Sequence, residues 1–408
     1  MAELSRIEQL IHNLCPNGVE YTTLGALGTF ESAGVDKKIV PGEQDVTLLN
    51  YVDVFNHQYI DASIPSMRVT ASDKKIVQCN VLKNDIFITP SSETIDEIGR
   101  AAVIMEDLKN TVYSYHIMRY RLYSPNTTTA KYIRYLFDTS IIQQQIAQYA
   151  QGLTRFGVSK SNFAAFNIPF PPFAVQEEVV RIFDTFCNLV DNIGNEIQER
   201  KRQFDAALNS YFDADIKKVK IADLGTITRG RRFVRTDIME QGTPCIHYGD
   251  IYMRYPICVH EALTFLQGEI TKKMRYAKNG DVVYVGAGEN DEDIGMAIAW
   301  LGKEPAAVHD ACYILSNHNQ DAKYLAYMSH ANNFHQQLKK SVATGKICSI
   351  PPDGLGRVII PLPSLKEQQA IAAKLDTIEA FIANLNEERT LRQQQYEYYR
   401  AKLISLLK

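Results

Sequence analysis

The chain repeats itself, and this repeat limits its possible folds more than any other feature of the sequence. The motif VEYTTLG at 19–25 recurs as VKIADLG at 219–225, a shift of 200 residues. Later in each copy, NIPFPP at 167–172 recurs as IIPLPS at 359–364, a shift of 192. Blocks between them recur in the same order with intermediate shifts, which indicates duplication of a unit of about 190–200 residues, too long for a solenoid repeat. The sequence therefore predicts two equivalent units.

Each copy has the same internal order. About 150 residues of short alternating or β-branched runs, separated by Gly, Asn and Asp, predict a strand-rich domain. A strand bracketed by prolines ends the sheet, because proline cannot donate to a β-ladder, and a long helix follows. We therefore predict an α+β fold with a pseudo-two-fold internal repeat. Its parts are a first globular domain (1–172), a first long helix (173–212), a second globular domain (213–364) and a second long helix (365–408).

Apolar residues recur every 3.5 residues on average along both predicted helices. This spacing places one apolar seam along each helix, and such a seam is buried against a partner helix. The alternative is two independent amphipathic helices, each lying on its own domain. Two matched seams at equivalent repeat positions favour pairing as an antiparallel coiled coil. The seam residues are Phe183, Phe186, Val190, Ile193, Ile197, Phe204, Leu375, Ile378, Ile382, Leu385, Tyr396 and Leu403.

Composition and missing motifs exclude several classes of protein. With 45% hydrophobic and 22% charged residues the chain is of ordinary globular composition, and no apolar run approaches the roughly 18 residues of a membrane span. Seven scattered cysteines and an N-terminus without signal-peptide features predict a cytoplasmic protein. The sequence lacks a P-loop, a nucleophile elbow and Cys/His metal spacing, so we predict no catalytic residue, bound metal or bound cofactor. The acidic loops around Glu93 and Glu289 we interpret as solvated.

Basic residues are clustered locally although the net charge is −3, so any DNA binding has to come from these patches. The richest is RGRRFVR at 229–235, directly after a predicted strand. Arginine can bond guanine bidentately, whereas lysine neutralises phosphate. Taken alone, such a cluster is more often a solvated surface.

Together these features resemble the specificity subunit of Type I restriction–modification systems. Each globular unit is closed by the same strand–helix signature, and the resemblance extends from about residue 7 to the end of the chain. The motifs that carry it are 168–172 with Gln176 and Asp184, 360–364 with Gln368 and Asp376, the opening segment 7–25, and the loops NDIFITPSSETIDEIGRAAV and GDVVYVGAGENDEDIGMAIA.

The resemblance implies a non-catalytic recognition subunit. Each globular unit would be a target-recognition domain that reads one half of a split, asymmetric site in double-stranded DNA. The helices would set the spacer and dock two modification (methyltransferase) subunits, which bring S-adenosylmethionine, while restriction subunits bring ATP-driven translocation and cleavage. Half-sites about one helical turn apart, roughly 34 Å, would match a pseudo-two-fold protein.

Recognition is expected to vary in the loops of this family, so we select candidate contacts from the loops around 89–92, 154–155 and 344–346 and from the basic cluster 229–235. For each serine or threonine the alternative is a hydrogen bond within a turn. Two other functions stay open: a coiled-coil scaffold with protein-binding ends, and a recognition subunit of another restriction or methylation architecture. The candidate DNA-binding residues are Thr89, Ser91, Ser92, Thr154 and Arg155 in the first domain, and Arg229, Arg231, Arg232, Thr344 and Lys346 in the second.

Overall fold

The long helices are shared between two structural units. The computed structural model describes residues 2–343, 345 and 347–407. Unit 1 comprises Met1–Asn192 and Arg389–Lys408, and unit 2 comprises Ile193–Glu388. Each unit therefore contains one globular domain and part of both long helices, whereas the sequence-based division had assigned each helix to a segment of its own.

Unit 1 is built from short strands and short helices. Its strands are β1 (Tyr21–Thr23), β2 (Gly28–Glu31), β3 (Gln44–Leu49), β4 (Tyr59–Ile60), β5 (Met67–Ala71), β6 (Asn80–Val81), β7 (Ile86–Ile88), β8 (Ser91–Ser92), β9 (Ala101–Ile104), β10 (Leu108–Tyr113), β11 (Met118–Leu122), β12 (Phe156–Gly157) and β13 (Asn167–Pro169). Its short helices are α1 (Ala2–Leu14), α2 (Leu24–Leu27), α3 (Tyr51–Asn56), α4 (Asp73–Gln78), α5 (Thr127–Phe137), α6 (Ser140–Tyr149) and α7 (Lys160–Ala165). The strands form sheets in the orders β2-β11-β7-β9-β4 and β5-β3-β10-β6, with the two-stranded pairs β1-β13 and β12-β8.

Unit 2 has the same kind of architecture. Between the units' shared helices α8 (Phe173–Asp213) and α13 (Leu365–Leu406) lie α9 (Tyr248–Met253), α10 (Ala322–Met328), α11 (Asn332–Lys339) and α12 (Pro352–Gly356). The strands are β14 (Lys218–Lys220), β15 (Thr226–Arg229), β16 (Ile238–Met239), β17 (Thr243–Ile246), β18 (Cys258–Val259), β19 (Thr264–Leu266), β20 (Tyr276–Ala277), β21 (Val282–Val285), β22 (Ala287–Gly288), β23 (Ala297–Trp300), β24 (Ala306–Val308), β25 (Cys312–Ser316), β26 (Cys348–Ser349) and β27 (Ile359–Pro361). They form sheets in the orders β15-β25-β21-β23-β18 and β16-β19-β17-β24-β20, with the pairs β14-β27 and β22-β26.

Strand order confirms the internal repeat. The five-stranded sheet of unit 1 that begins with β2 corresponds strand by strand to the sheet of unit 2 that begins with β15, and both end in a parallel pair, β4 with β9 and β18 with β23. The second sheets also agree, except that unit 2 has the additional strand β16. The predicted α+β fold with two similar domains is therefore correct.

A glycine at the same place in both units explains the repeated dipeptide Ile-Gly. Gly99 and Gly295 have φ values of +84° and +87°, in the left-handed region that residues with a Cβ rarely adopt. A Cβ at Gly99 would lie 2.5 Å from Ile146 Cδ1, and one at Gly295 would lie 2.1 Å from Leu338 Cδ1. Helices α6 and α11 therefore pack closely on these turns, which a larger residue would push apart.

Within unit 1 the two long helices run antiparallel. Tyr21 lies on β1, which pairs with β13 immediately before α8, and its hydroxyl donates to the carbonyl of Leu407 just after the end of α13. Further along, Phe183 of α8 meets Tyr396 of α13 with ring centroids 5.7 Å apart. The start of α8 thus lies beside the end of α13.

Unit 2 contains the reverse arrangement. Strand β14, which follows α8, pairs with β27, which precedes α13. Arg200 of α8 interrupts the apolar spacing, and its guanidinium lies over the ring of Phe381 of α13, 5.1 Å from the centroid. The end of α8 therefore lies beside the start of α13, so these helices are antiparallel here too.

The predicted seam residues all lie on α8 and α13, and none is exposed. The buried ones are Phe183, Ile193, Ile197, Leu375, Tyr396 and Leu403, and the half-buried ones are Phe186, Val190, Phe204, Ile378, Ile382 and Leu385. The helices contain 41 and 42 residues, which makes each about 60 Å long. Among the described residues, no helix is both long and apolar enough to cross a membrane.

Candidate nucleic-acid interface

Two loops that are far apart in sequence meet in each domain. In the first domain β8 pairs with β12, so that Ser91 faces Gly157 and Ser92 faces Phe156. In the second domain the equivalent strands β22 and β26 pair. The structure thus brings together, in both domains, the loops that contain most of the predicted contact residues.

Ser91 and Arg155 lie together at this junction in the first domain. The Nε of Arg155 donates to the Ser91 hydroxyl over 3.2 Å, and this joins the two loops. Arg155 and its neighbour Thr154 are exposed, and Ser91 is half-buried. These three side chains remain accessible to a partner.

Thr89 and Ser92 are buried, and their hydroxyls form hydrogen bonds within the loop. The Thr89 hydroxyl donates to the carbonyl of Glu97 over 3.0 Å and accepts from the amide of Arg100 over 3.0 Å. The Ser92 hydroxyl donates to the carboxylate of Glu97. Both hydroxyls therefore make the turn hydrogen bonds that were the alternative to DNA contact, and neither is available to a base in this structure.

Tyr115 and His116 also lie near this junction and were not among the predicted contacts. Their rings are 4.0 Å apart, and Tyr115 is exposed. Burial lowers the pKa of His116, and the positive charges of Lys37 and Arg155 lower it further, whereas the charge of Asp36 opposes this shift. The sequence signal was an aromatic–histidine pair directly after a strand, and it is weak because such pairs also occur in cores.

The predicted arginines of the second domain lie on one segment but differ in their contacts. The Arg229 side chain is held by the protein itself, since its Nε donates to the carbonyl of Asp310 over 2.6 Å. Arg231 and Arg232 are exposed. Thr344 and Lys346 lie outside the described residues.

A cleft with a volume of about 640 Å³ lies in the second domain beside these arginines. Arg232 and Arg235 line it, and so do Ala287 and Gly288 of β22. Four rings, those of Phe233, His247, Tyr248 and His309, also line it, as do the acidic residues Glu289 and Asp310. Cationic groups next to aromatic faces suit a nucleic-acid partner, because phosphate and base then each find a matching surface.

The same polar contact fixes each domain to a long helix. In unit 1, Lys131 Nζ and the Tyr135 hydroxyl of α5 donate to the carboxylate of Asp184 on α8, over 2.8 and 2.6 Å. In unit 2, a lysine and a tyrosine of α10, Lys323 and Tyr327, donate to Asp376 on α13 over 2.8 and 2.7 Å. We call this contact the lysine–tyrosine–aspartate anchor. Asp184 and Asp376 belong to the repeated motifs described above, but their contacts with these lysines and tyrosines were not predicted.

No group of three or more His, Cys, Asp or Glu side chains is placed to hold a metal ion within the part of the chain that the structure describes. All seven cysteines lie within this part and have free thiols, so they form no disulfide bond there.

Comparisons with known proteins identify specificity subunits of type I restriction enzymes as relatives. The family model of the Type I restriction modification DNA specificity domain matches the chain twice, at residues 53–200 and 214–392. A type I restriction enzyme specificity subunit of Methanocaldococcus jannaschii is 23% identical over 393 residues, which cover 89% of this chain and 86% of the relative. A type I restriction enzyme specificity subunit of Escherichia coli is 24% identical over 309 residues, 69% of this chain and 72% of that protein.

Solved structures show the same fold. The S subunit of a type I restriction–modification system from M. genitalium superposes with a TM-score of 0.53 at 12% identity, over 95% of this chain and 96% of that one. A chain from a study of complex assembly and conformational transition of the type I system gives a TM-score of 0.56 at 15% identity, over 95% and 97% of the two chains.

Proposed function

The chain belongs to the family of Type I restriction–modification DNA specificity subunits, and from this we propose that each globular domain reads one half of a bipartite, asymmetric site in double-stranded DNA. A specificity subunit supplies target recognition and is not the catalytic component of the restriction–modification complex. A protein-binding scaffold is not favoured, because both family matches are to DNA specificity domains.

The meeting of the same two loops in both domains carries the proposal. Equivalent strands form the junction, yet the residues differ: Ser91 and Arg155 lie at it in the first domain, whereas Ala287 and Ser349 face each other in the second. A common framework with different side chains at one place is suited to reading two different sequences. The two halves of the DNA site should therefore differ.

We further propose that the long helices set the spacing between half-sites and dock two modification subunits. In support, α13 retains exposed apolar side chains at Leu391 and Tyr398, 56% and 63% exposed. Restriction subunits would join this assembly. S-adenosylmethionine and ATP would then be bound by the partners and not by this chain, and the complex would act in the cytoplasm, where chromosomal DNA is accessible.

The proposal is tested with the chain reconstituted with its modification subunits. Sequencing of methylated positions in the host genome identifies the target, and fluorescence anisotropy compares that duplex with a shuffled one. We expect the target to bind at least about 10³-fold more tightly, and both affinities to fall steeply with salt because phosphate contacts release counterions. Equal, weak binding of both duplexes at low salt would contradict DNA recognition.

A further inference from the structure

Two histidines face each other in the cleft of the second domain. The rings of His247 and His309 have centroids 4.7 Å apart, and Phe233 meets His309 edge-on at 4.9 Å. Tyr248 lies against both histidines, at 4.3 Å from His247 and 5.5 Å from His309. Flat rings therefore line the cleft, and its volume of about 640 Å³ leaves room for another flat group.

Backbone amides fix the tautomer of both histidines. An amide N–H can only donate, so the nitrogen that it bonds carries no proton. Gly249 N donates to His247 Nδ1 over 3.2 Å, and Ala311 N donates to His309 Nδ1 over 3.1 Å. The proton of each neutral ring is consequently on Nε2.

The two Nε2–H groups differ in what they bond. His309 Nε2 donates to the carbonyl of Phe233 over 3.1 Å, so it is already used. His247 Nε2 makes no hydrogen bond within the described part of the chain, although its ring lines the cleft. Burial lowers the pKa of both rings, which keeps them neutral and His247 Nε2–H available as a donor at neutral pH.

The first domain lacks this pair. Asn50 is the N-cap of α3 in the first domain, as His247 is the N-cap of the equivalent helix α9 in the second. Ser114 occupies the position equivalent to His309. The amide of Ser114 donates to the carbonyl of Leu49, as the amide of His309 does to that of Ile246, which establishes the equivalence. The Ser114 hydroxyl accepts from the amide two residues on, as His309 Nδ1 does. The same backbone conformation therefore forms with asparagine and serine at the positions that His247 and His309 occupy in the second domain.

The charges around the cleft fit one strand of DNA. Arg232 and Arg235 are exposed on its lining and suit phosphate groups. Of the two acidic residues that line it, Asp310 has its carboxylate 3.9 Å from Arg229, and Glu289 is exposed to solvent. A neutral donor between rings, with cations beside it, matches a base edge that carries an acceptor.

We propose that this cleft receives the edge of one base of the second half-site, and that His247 Nε2–H donates to an acceptor on it. In the major groove the acceptors are N7 and O6 of guanine, N7 of adenine and O4 of thymine, whereas cytosine presents only a donor. His247 is thereby a specificity-determining residue that excludes cytosine at this position. This inference rests on the proposed function and assigns one residue and one class of base to it.

The test is the substitution His247→Asn in the chain reconstituted with its modification subunits. Asparagine already caps the equivalent helix of the first domain, so the fold should be retained. Since asparagine bonds adenine through both N6 and N7, we expect the preference at one position of the second half-site to move from guanine or thymine to adenine, or to narrow to adenine if the wild type accepts either purine. Affinity for the original target should fall about ten- to hundredfold, and the first half-site should be unchanged.

The matched control is His318→Asn, because His318 Nδ1 also accepts from the amide two residues on but its ring does not line the cleft. It should leave the preferred sequence unchanged. The base preference among methylated sites is the deciding measurement, since a purely structural role would reduce methylation without altering it. If the wild type reads a specific sequence and His247→Asn keeps the same base preference, this inference is wrong but the proposed function stands. If the wild type itself shows no sequence specificity, the proposed function is wrong.

Discussion

The carboxylate of Asp184 accepts hydrogen bonds from three side chains where the first domain meets helix α8. Asp184 accepts from Lys131 and Tyr135 of α5 and from the hydroxyl of Tyr59 on β4. Lys131 and Asp184 are 17% and 23% exposed, so their ion pair is poorly screened by water. Because a lost acceptor would leave three donors partly buried without their partner, this residue should matter more than a surface carboxylate.

We expect Asp184→Ala to lower the free energy of unfolding by about 2–3 kcal/mol, measured by urea denaturation. Asp191→Ala is the matched control, because Asp191 is an exposed carboxylate on the same helix; it should change stability by less than about 0.5 kcal/mol. Equal effects of the two substitutions would show that the anchor contributes little to stability.

At the residue scale, the sequence predicted loops better than it predicted side-chain roles. Ser91 and Arg155 were named from two separate loops, and the structure joins them. Thr89 and Ser92 come from the same kind of loop but are buried under it, because short polar side chains satisfy turn groups as readily as they contact a partner. His247 was not named at all, since its value lies in a ring stack and a fixed tautomer that only the folded chain creates.

At the scale of elements, helix periodicity was the strongest signal. The first long helix was predicted over 173–212 and spans Phe173–Asp213, and the second was predicted over 365–408 and spans Leu365–Leu406. An apolar stripe repeated over eleven or more turns leaves little ambiguity about where a helix lies. The order of strands within each sheet could not be predicted, because it depends on non-local pairing that alternation alone does not specify.

Proline within α8 should break this helix. Ile193 is 7% exposed, and at this position proline would remove a backbone hydrogen bond and clash with the preceding turn. We expect Ile193→Pro to cost about 3 kcal/mol or more, seen as a lower urea midpoint and loss of helical circular dichroism.

The control for this prediction is Phe173→Pro in the same helix. Phe173 is the first residue of α8, where an amide has no intrahelical partner and proline is favoured. This variant should retain the helical signal. If both proline variants unfolded alike, helix breaking would not be the cause.

At the scale of the whole molecule, the two units differ in how they should respond to acid. Burial lowers the pKa of five histidines in unit 2, and of His116 in unit 1. The most affected is His330, whose pKa burial lowers to about 4, and whose Nε2 donates to the carbonyl of Ala297 over 3.2 Å. The other four in unit 2 are His247, His309, His318 and His335.

The lowered pKa of His330 destabilises the folded chain at low pH. The unfolded chain binds a proton at His330 near pH 6.5, about 2.5 units before the folded chain does, so stability falls as the pH drops from about 6.5 towards 4. We expect wild type to lose about 2–3 kcal/mol more than His330→Gln between pH 7 and pH 4.5. The one tryptophan, Trp300, is buried in this domain, so its fluorescence reports the loss. Parallel pH curves for the two proteins would refute the assignment.

The repeat predicted the whole molecule in outline. It specified two equivalent units and two long helices, because duplicated blocks in the same order must fold alike. It did not reveal that Asp184 and Asp376 serve as matching anchors, since both ends of that contact are ordinary polar residues until the helices bring them together.

The position of the lysine–tyrosine–aspartate anchor has an evolutionary consequence. It holds each domain through side chains on α5 or α10, whereas the β8–β12 and β22–β26 junctions are formed by only two residue pairs each. Mutations at those junctions can accumulate with little effect on folding. If these junctions contact DNA as proposed above, a lineage of such chains could acquire new DNA preferences while its domains keep their fold.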